Sequence, residues 1–260
     1  MKAWTIIWLA LGALIVATAI PGSLVAQVAP PPAVAKTSAA LPQDLAFARF
    51  IALIRGHLLT GDELVSQRQW EAATPHFGFP REEIYGIIRD DMRNYKTPPF
   101  DDALKALVRA AKARSAAQYA KARKSVEDAL AAADTALKAK APNWPRFVVA
   151  GVIEVLKTAS DEYDDAVGTG RNLGRIVHPI GYQTARGFIL QADRMFEGVA
   201  GEFSGDNAMA LSDIRAGFAQ LKQAFASLAA PKLAPMDDAA LLNAVSKIEA
   251  VARKLTEYTN

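Results

Sequence analysis

The sequence predicts an all-α fold: a single multi-helix domain of about eight amphipathic helices. Three observations predict it. Apolar residues recur three and four positions apart along most of the chain. Alanine is abundant while β-branched residues are sparse, which favours helix. No stretch alternates with a period of two for long enough to make a strand. Of the 260 residues 51% are hydrophobic and 22% are charged, a globular composition in a chain long enough to bury a sizeable core.

The start of the chain sets its expected compartment. Lys2 precedes an apolar run over 3–20, broken by Pro21, Gly22 and Ser23, with Ala26 as a small exit residue. A basic start, an apolar centre and a small-residue exit predict a secretory signal peptide over 1–26, cleaved near Ala26, and hence a periplasmic protein. The run is nearly long enough to span a bilayer, so the alternative is a retained anchor. Cysteine is absent, which excludes lipoprotein processing, disulfides, thiolate metal sites and thiol nucleophiles. Residues 27–41 carry three consecutive prolines among small residues and predict an extended linker. The helical domain is then 42–260, opening on Pro42, a good first-turn residue.

Within it, Leu45, Phe47, Phe50, Ile51, Ile54, Leu58 and Leu64 predict a helix over 43–67, despite Gly56 and Gly61. A short helix from Trp70 to Phe77 is expected to bend at Pro75, and Pro80 to start another with Ile84, Ile87, Ile88 and Met92 as its stripe. Asp101 opens one long helix or two abutting ones, with Leu104, Leu107, Val126, Leu130 and Leu137 on a thin apolar face. Pro142 and Pro145 precede a helix carrying Val149, Val152, Leu156, Ala159 and Tyr163. After a loop at Gly168, Gly170 and Gly174, helices follow over 179–199, 206–228 and 236–258.

Two segments resemble known families. Gly61, Leu64, Trp70, Ala73 and Phe77 lie at the offsets of a single tetratricopeptide repeat over 54–80, although His57 stands where that pattern has Trp and no second copy follows. The resemblance implies a helical hairpin in which Gly61 and Ala73 let the helices approach while Leu64 and Phe77 fill the gap. Residues 162–188 carry Glu162-Tyr163, Ala166-Val167, Gly170, Tyr182, Arg186 and Phe188. This stretch is similar to the periplasmic extension of bacterial iron permeases. It departs from that pattern at Gly181, where an acidic residue is expected, and the permease's membrane helices and Arg-Glu metal motif are absent. The resemblance implies a place in periplasmic metal handling.

With no thiol, metal ligands must come from His, Asp, Glu and Tyr. His57 and His76 fall on the two arms of the first hairpin and can face each other; Glu63 and Glu83 lie nearby in sequence, and His178 precedes Pro179 at a helix start. His57, His76, Glu83 and His178 are the candidate ligands for iron, copper or zinc. Glu154, Asp161 and Asp165 share one face of a helix opposite its apolar stripe, which reads as a solvated face or a weak cation surface. Lys105, Arg109, Lys112, Arg114, Lys121, Arg123 and Lys124 occur without an intervening acid. Export and a net charge of +3 argue against nucleic acid, leaving a solvated face, an acidic partner or an anionic head group. Membrane contact is expected only through an uncleaved signal or this basic helix.

No Gly-rich phosphate loop follows a strand and no nucleophile elbow occurs, so no enzyme is expected. The leading expectation is an exported helical protein that binds a metal ion or serves a metal (iron/copper) uptake system. The alternatives are an envelope protein-protein scaffold of repeat-like hairpins and a helical carrier of a lipid-like ligand.

Overall fold

The computed structural model describes residues 41–256, so the expected signal peptide and almost all of the linker lie outside the described residues. Among these there are no strands, only isolated antiparallel bridges pairing Val167 with Ile176 and Arg175 with Leu233. The elements are α1 (Gln43–Ser66), α2 (Trp70–Phe79), a π-helical turn (Pro80–Tyr85), the single-turn α3 (Gly86–Ile88), α4 (Asp101–Lys112), α5 (Ala116–Lys140), α6 (Trp144–Ala166), α7 (Pro179–Ala200), α8 (Ala208–Gln223) and α9 (Asp238–Thr256). Short 3₁₀ turns sit at Met92–Tyr95, Gly170–Asn172 and Gly205–Asn207.

Two rings of helices share one core. α1 packs on α2 and α5, and α4 packs on α2 and α5, closing the first ring. The second is a four-helix bundle in which α6 packs on α7 and α9, and α8 packs on α7 and α9. α1 joins them by lying on α6 and α7. Its crossing with α7 is tight because both helices present glycine. A Cβ on Gly187 would lie 2.4 Å from the Gly56 carbonyl oxygen and from Thr60 Oγ1, and one on Gly56 would lie 2.5 Å from the Phe188 ring.

The expected hairpin forms as its spacing implied. Leu64, Ala73 and Phe77 are fully buried, and a Cβ on Gly61 would lie 2.3 Å from the Phe77 ring. The chain beyond it differs from expectation. Pro80 does not start a fresh helix: the backbone stays helical through it and widens into the π turn, since Pro75 and Pro80 both lack the N–H that regular α pairing needs. The single helix expected from Pro80 becomes the π turn, α3 and a 3₁₀ turn.

The long helix is two. Arg114, at φ 51°, breaks it between α4 and α5, and the Ser115 hydroxyl accepts from the Gln118 N–H to start α5. Asn143 caps α6 in the same way through the Arg146 N–H. α8 stops at Gln223, short of the expected 228, because the carbonyls that follow serve α7 instead. Tyr182 Oη donates to the Ala224 and Ser227 oxygens, and Gln183 Nε2 donates to that of Leu228.

Candidate cation site

The first hairpin lays its two histidines against α7. His57 and His76 have ring centroids 6.1 Å apart, and His57 is wedged between Phe79 at 5.5 Å and Phe188 at 5.0 Å. Gln183 fixes the tautomer of His76. Its amide nitrogen is committed to the Leu228 carbonyl, so its oxygen faces His76 Nε2 at 3.1 Å and that nitrogen carries the proton. Burial lowers both imidazoles below their usual pKa: His57, also disfavoured by His76 beside it, to about 3, and His76 in the same direction against the pull of Gln183. Both rings are therefore neutral at pH 7. The Nδ1 of each is buried without a hydrogen-bond partner.

His57 is 3% exposed and forms part of the floor of a 170 Å³ cavity, lined also by Phe79, Glu83, Glu162, Ile180, Gly181 and Thr184. The π turn aims Glu83 from one side and the last turns of α6 bring Glu162 from the other. The two carboxylates oppose one another. Burial, followed by the charges of Glu83, Asp165 and Asp161, pushes Glu162 up to about 7. Glu83 is raised as well, by burial and then by Glu82.

Asp161 and Asp165 act on Glu162 from its own helix and Glu82 on Glu83 from the π turn; Asp161 is itself raised, by burial and then by Asp165 against the pull of Arg49, and Asp164 is raised by burial and then by its hydrogen bond to Asp238. None of these carboxylates forms an ion pair among the described residues.

The structure thus brings His57, His76 and Glu83 to one corner of the fold and leaves His178 out. His178 is exposed at the residue before α7 and does not line the cavity. Glu63 is committed elsewhere: its carboxylate takes both Arg186 guanidinium nitrogens, at 2.6 and 3.1 Å, tying α1 to α7. Among the described residues no three His, Asp or Glu groups stand close enough to hold one bare ion. The donor set suits a hydrated cation instead, with carboxylate oxygens reaching it partly through water. Oxygen donors beside one imidazole favour hard or borderline cations such as iron over Cu(I), whose preferred thiolates are missing.

Residues 138–259 match the iron permease-associated 4-helix bundle domain. The matched span contains α6, α7, α8 and α9, the second ring of the fold. No curated protein and no solved structure matches the chain. The match bears out the resemblance at 162–188, and the structure shows what those residues do in the bundle domain. Tyr163 Oη donates to the Met236 carbonyl, Tyr182 to the carbonyls after α8, and the Ala166 carbonyl accepts the amides of Val177 and His178. Gly170 sits at φ 57°, a conformation glycine adopts without strain. These residues hold the bundle's ends together. Glu162 takes no part in these bonds and forms no ion pair among the described residues; its carboxylate lines the cavity.

The sequence offers Glu162 as the acidic partner of Tyr163 in the stretch similar to the iron permease extension, outside the Glu154, Asp161 and Asp165 stripe and not among the candidate ligands. The overlooked signal is its register: Val155, Ala159 and Ala166 are all buried and lie four and three residues apart around it, so Glu162 occupies an apolar-face position. Of the basic run, Lys105, Arg123 and Lys124 are held in ion pairs with Asp101, Asp62 and Asp128.

Proposed function

We propose that this chain is an exported, non-enzymatic helical component of a metal-uptake system, with iron as the first candidate cargo, and that it gathers hydrated cations at the Glu83–Glu162 mouth above His57. One observation carries the reading. Glu83 and Glu162, neither in an ion pair among the described residues, line a cavity together with His57, a neutral imidazole whose Nδ1 has no hydrogen-bond partner, and Asp161 and Asp165 add further negative charge at Glu162. Uncompensated charges of one sign at close range are costly, and a cation removes that cost. The match of the second ring to an iron permease-associated domain supports the choice of cargo.

Calorimetric titration of the protein with Fe²⁺ under anaerobic conditions, and with Mn²⁺ and Zn²⁺, tests the reading. Parent protein should bind, Glu162→Gln should bind at least tenfold more weakly, and His57→Ala should discriminate less among the ions. Equal affinity in parent and Glu162→Gln would defeat it.

The lipid-carrier alternative also has an observation in its favour. A cleft of about 410 Å³ between α1, α5, α6 and α7 is walled by Ile51, Leu137, Trp144, Phe147 and Met195 together with the charged Arg55, Glu127, Asp134 and Arg194, a size and lining suited to a small amphipathic ligand. Co-purification of an extractable lipid, lost on Gly151→Leu, would favour it.

A further inference from the structure

The connection between α6 and α7 and the one between α8 and α9 meet outside the bundle and hold apolar side chains in solvent. Leu173 is 75% exposed and Leu233 63%, with Val177 at 37% beside them. Leucines on a slack loop would fold back onto the protein. These are held out by backbone geometry. Gly170 and Gly174 both take positive φ, at 57° and 71°, on either side of Leu173. The loop is closed by the Leu173 N–H on the Gly170 oxygen and the Arg175 N–H on the Asn172 oxygen. It is then strapped to the second segment: the Ile176 N–H donates to the Lys232 oxygen at 3.2 Å, and the Ala234 N–H to the Gly174 oxygen at 2.9 Å.

The same two segments carry Arg171, Arg175 and Lys232, which have no ion-pair or side-chain hydrogen-bond partner among the described residues. The nearest carboxylates in sequence are Asp164 and Asp165 at the end of α6, Asp237 just before α9 and Asp238 at its start, and none of them pairs with these cations. Exposed leucines on a rigid loop flanked by free cations are the chemistry of an interfacial membrane contact. The apolar tips enter the acyl boundary and the cations meet lipid phosphates.

The geometry points to this strapped pair of loops as a docking surface for an anionic lipid bilayer, with Leu173 and Leu233 inserted and Arg171, Arg175 and Lys232 in the head-group layer. A protein partner would ask for a broad buried area around the anchors, whereas here the exposed apolar surface is two projecting leucines with Val177 and Ile180, each far less exposed, at their base. The assignment does not depend on the cation reading. Ile180, which lines the cation cavity, follows this loop directly, so docking brings the acidic mouth close to the bilayer.

Hydrogen–deuterium exchange of the full chain, with and without vesicles, reads the contact locally, whatever the N-terminal segment does in the bilayer. With vesicles of mixed phosphatidylglycerol and phosphatidylcholine, residues 170–178 and 231–235 should become protected. Protection should be much weaker with phosphatidylcholine alone and should fall in high salt. Leu173→Ser/Leu233→Ser should abolish it. Arg171→Ser/Arg175→Ser/Lys232→Ser should weaken it about a hundredfold, about fivefold for each cation removed. Both variants replace exposed side chains and should melt like the parent, which separates lost docking from lost folding. No protection on anionic vesicles, equal protection on both vesicle types, or full protection in the charge variant would overturn the assignment. So would self-association of the free protein that Leu233→Ser abolishes without any lipid effect, since the surface would then belong to a second copy of this chain.

Discussion

The seam between α1 and α5 and the end of α6 treat charge in opposite ways. At the seam Arg55 spans Glu127 and Asp134 at 3.1 and 2.9 Å, and Asp62 accepts from Arg123 and from the Tyr119 hydroxyl. At the end of α6, Asp161, Glu162, Asp164 and Asp165 form no ion pair among the described residues, and burial with neighbouring acids raises Asp161, against the pull of Arg49, and Glu162 and Asp164. Paired charges specify how helices sit together. A group of like charges without ion pairs contributes nothing to packing and is relieved by solvent, by protonation or by a bound cation. The contrast separates architecture from function in a fold without a recognisable catalytic motif.

The largest expected effect lies on the architectural side, within one helix. Gly187 and Gly198 both belong to α7, but a Cβ on Gly187 meets the α1 backbone while one on Gly198 meets nothing within 4 Å. Gly187→Leu should cost about 3 kcal/mol or prevent folding, because the clash is with backbone and cannot be relieved by a rotamer change. Gly198→Ala should stabilise by about 0.5–1 kcal/mol through helix propensity. Urea denaturation followed by circular dichroism compares them. Equal stability of the two variants would mean that α1 and α7 do not cross where the structure places them.

A second comparison predicts opposite signs for removing a carboxylate. Asp62→Ala strips Tyr119 of its acceptor, leaves Arg123 with Glu127 alone, and should destabilise by about 1–2 kcal/mol. Glu162→Gln removes a charge that the fold disfavours and should stabilise by about 1–2 kcal/mol at pH 8. The pH dependence follows from the direction of the shift. Glu162 holds its proton up to about pH 7 in the folded protein and only to about 4.5 unfolded, so its ionisation removes stability as pH rises across that interval. The gain from Glu162→Gln should therefore vanish at pH 4 and be complete above pH 7. His57 acts the other way: its folded pKa is lowered, so its contribution is present above about 6.5 and is lost as pH falls towards 3. Melting curves of parent, Glu162→Gln and His57→Leu between pH 4 and 8 check both signs; a Glu162→Gln gain that is the same at every pH would show that ionisation is not its source.

How much of this was readable beforehand follows from the range of each interaction. Helical periodicity, the Gly61–Phe77 hairpin and the bundle stretch at 162–188 are local patterns, and all appear in the fold. The meeting of His57 with His76 was also readable, since a hairpin brings its arms together. The role of Gly187 was not, because its partner Gly56 lies on a helix far away in sequence. Nor was the exclusion of His178 from the site: only the fold shows that it remains exposed ahead of α7 while Gln183, one turn on, takes the hydrogen bond to His76. The continuation of helix through Pro80 ran against a sound local rule, and the exception carries Glu83 to the mouth.

The smallest expected effect is also the most specific to the site. Gly181 lines the cavity, and a Cβ there would lie 3.4 Å from the Ala166 Cβ and 3.4 Å from the Glu162 carbonyl oxygen, ordinary contact distances. The bundle stretch resembles a pattern with an acidic residue at this position, so Gly181→Glu tests whether the mouth is a cation site short of one ligand. A Cβ fits without moving the backbone, and α7 gains a better helix former in its first turn, where an acid also favours the helix dipole. Stability should therefore change by less than about 1 kcal/mol, because the added repulsion from Glu162 offsets those gains. Affinity for Mn²⁺ or Fe²⁺ should rise by about three- to tenfold, since one more carboxylate within reach of the ion is worth about 1 kcal/mol in partly wet surroundings. The rise should disappear in Gly181→Glu/Glu162→Gln if both carboxylates grip the same cation. Additive effects of the two changes would place the ion away from this mouth, and an unchanged affinity in the single variant would show that the cavity is a packing gap beneath a solvated acidic face.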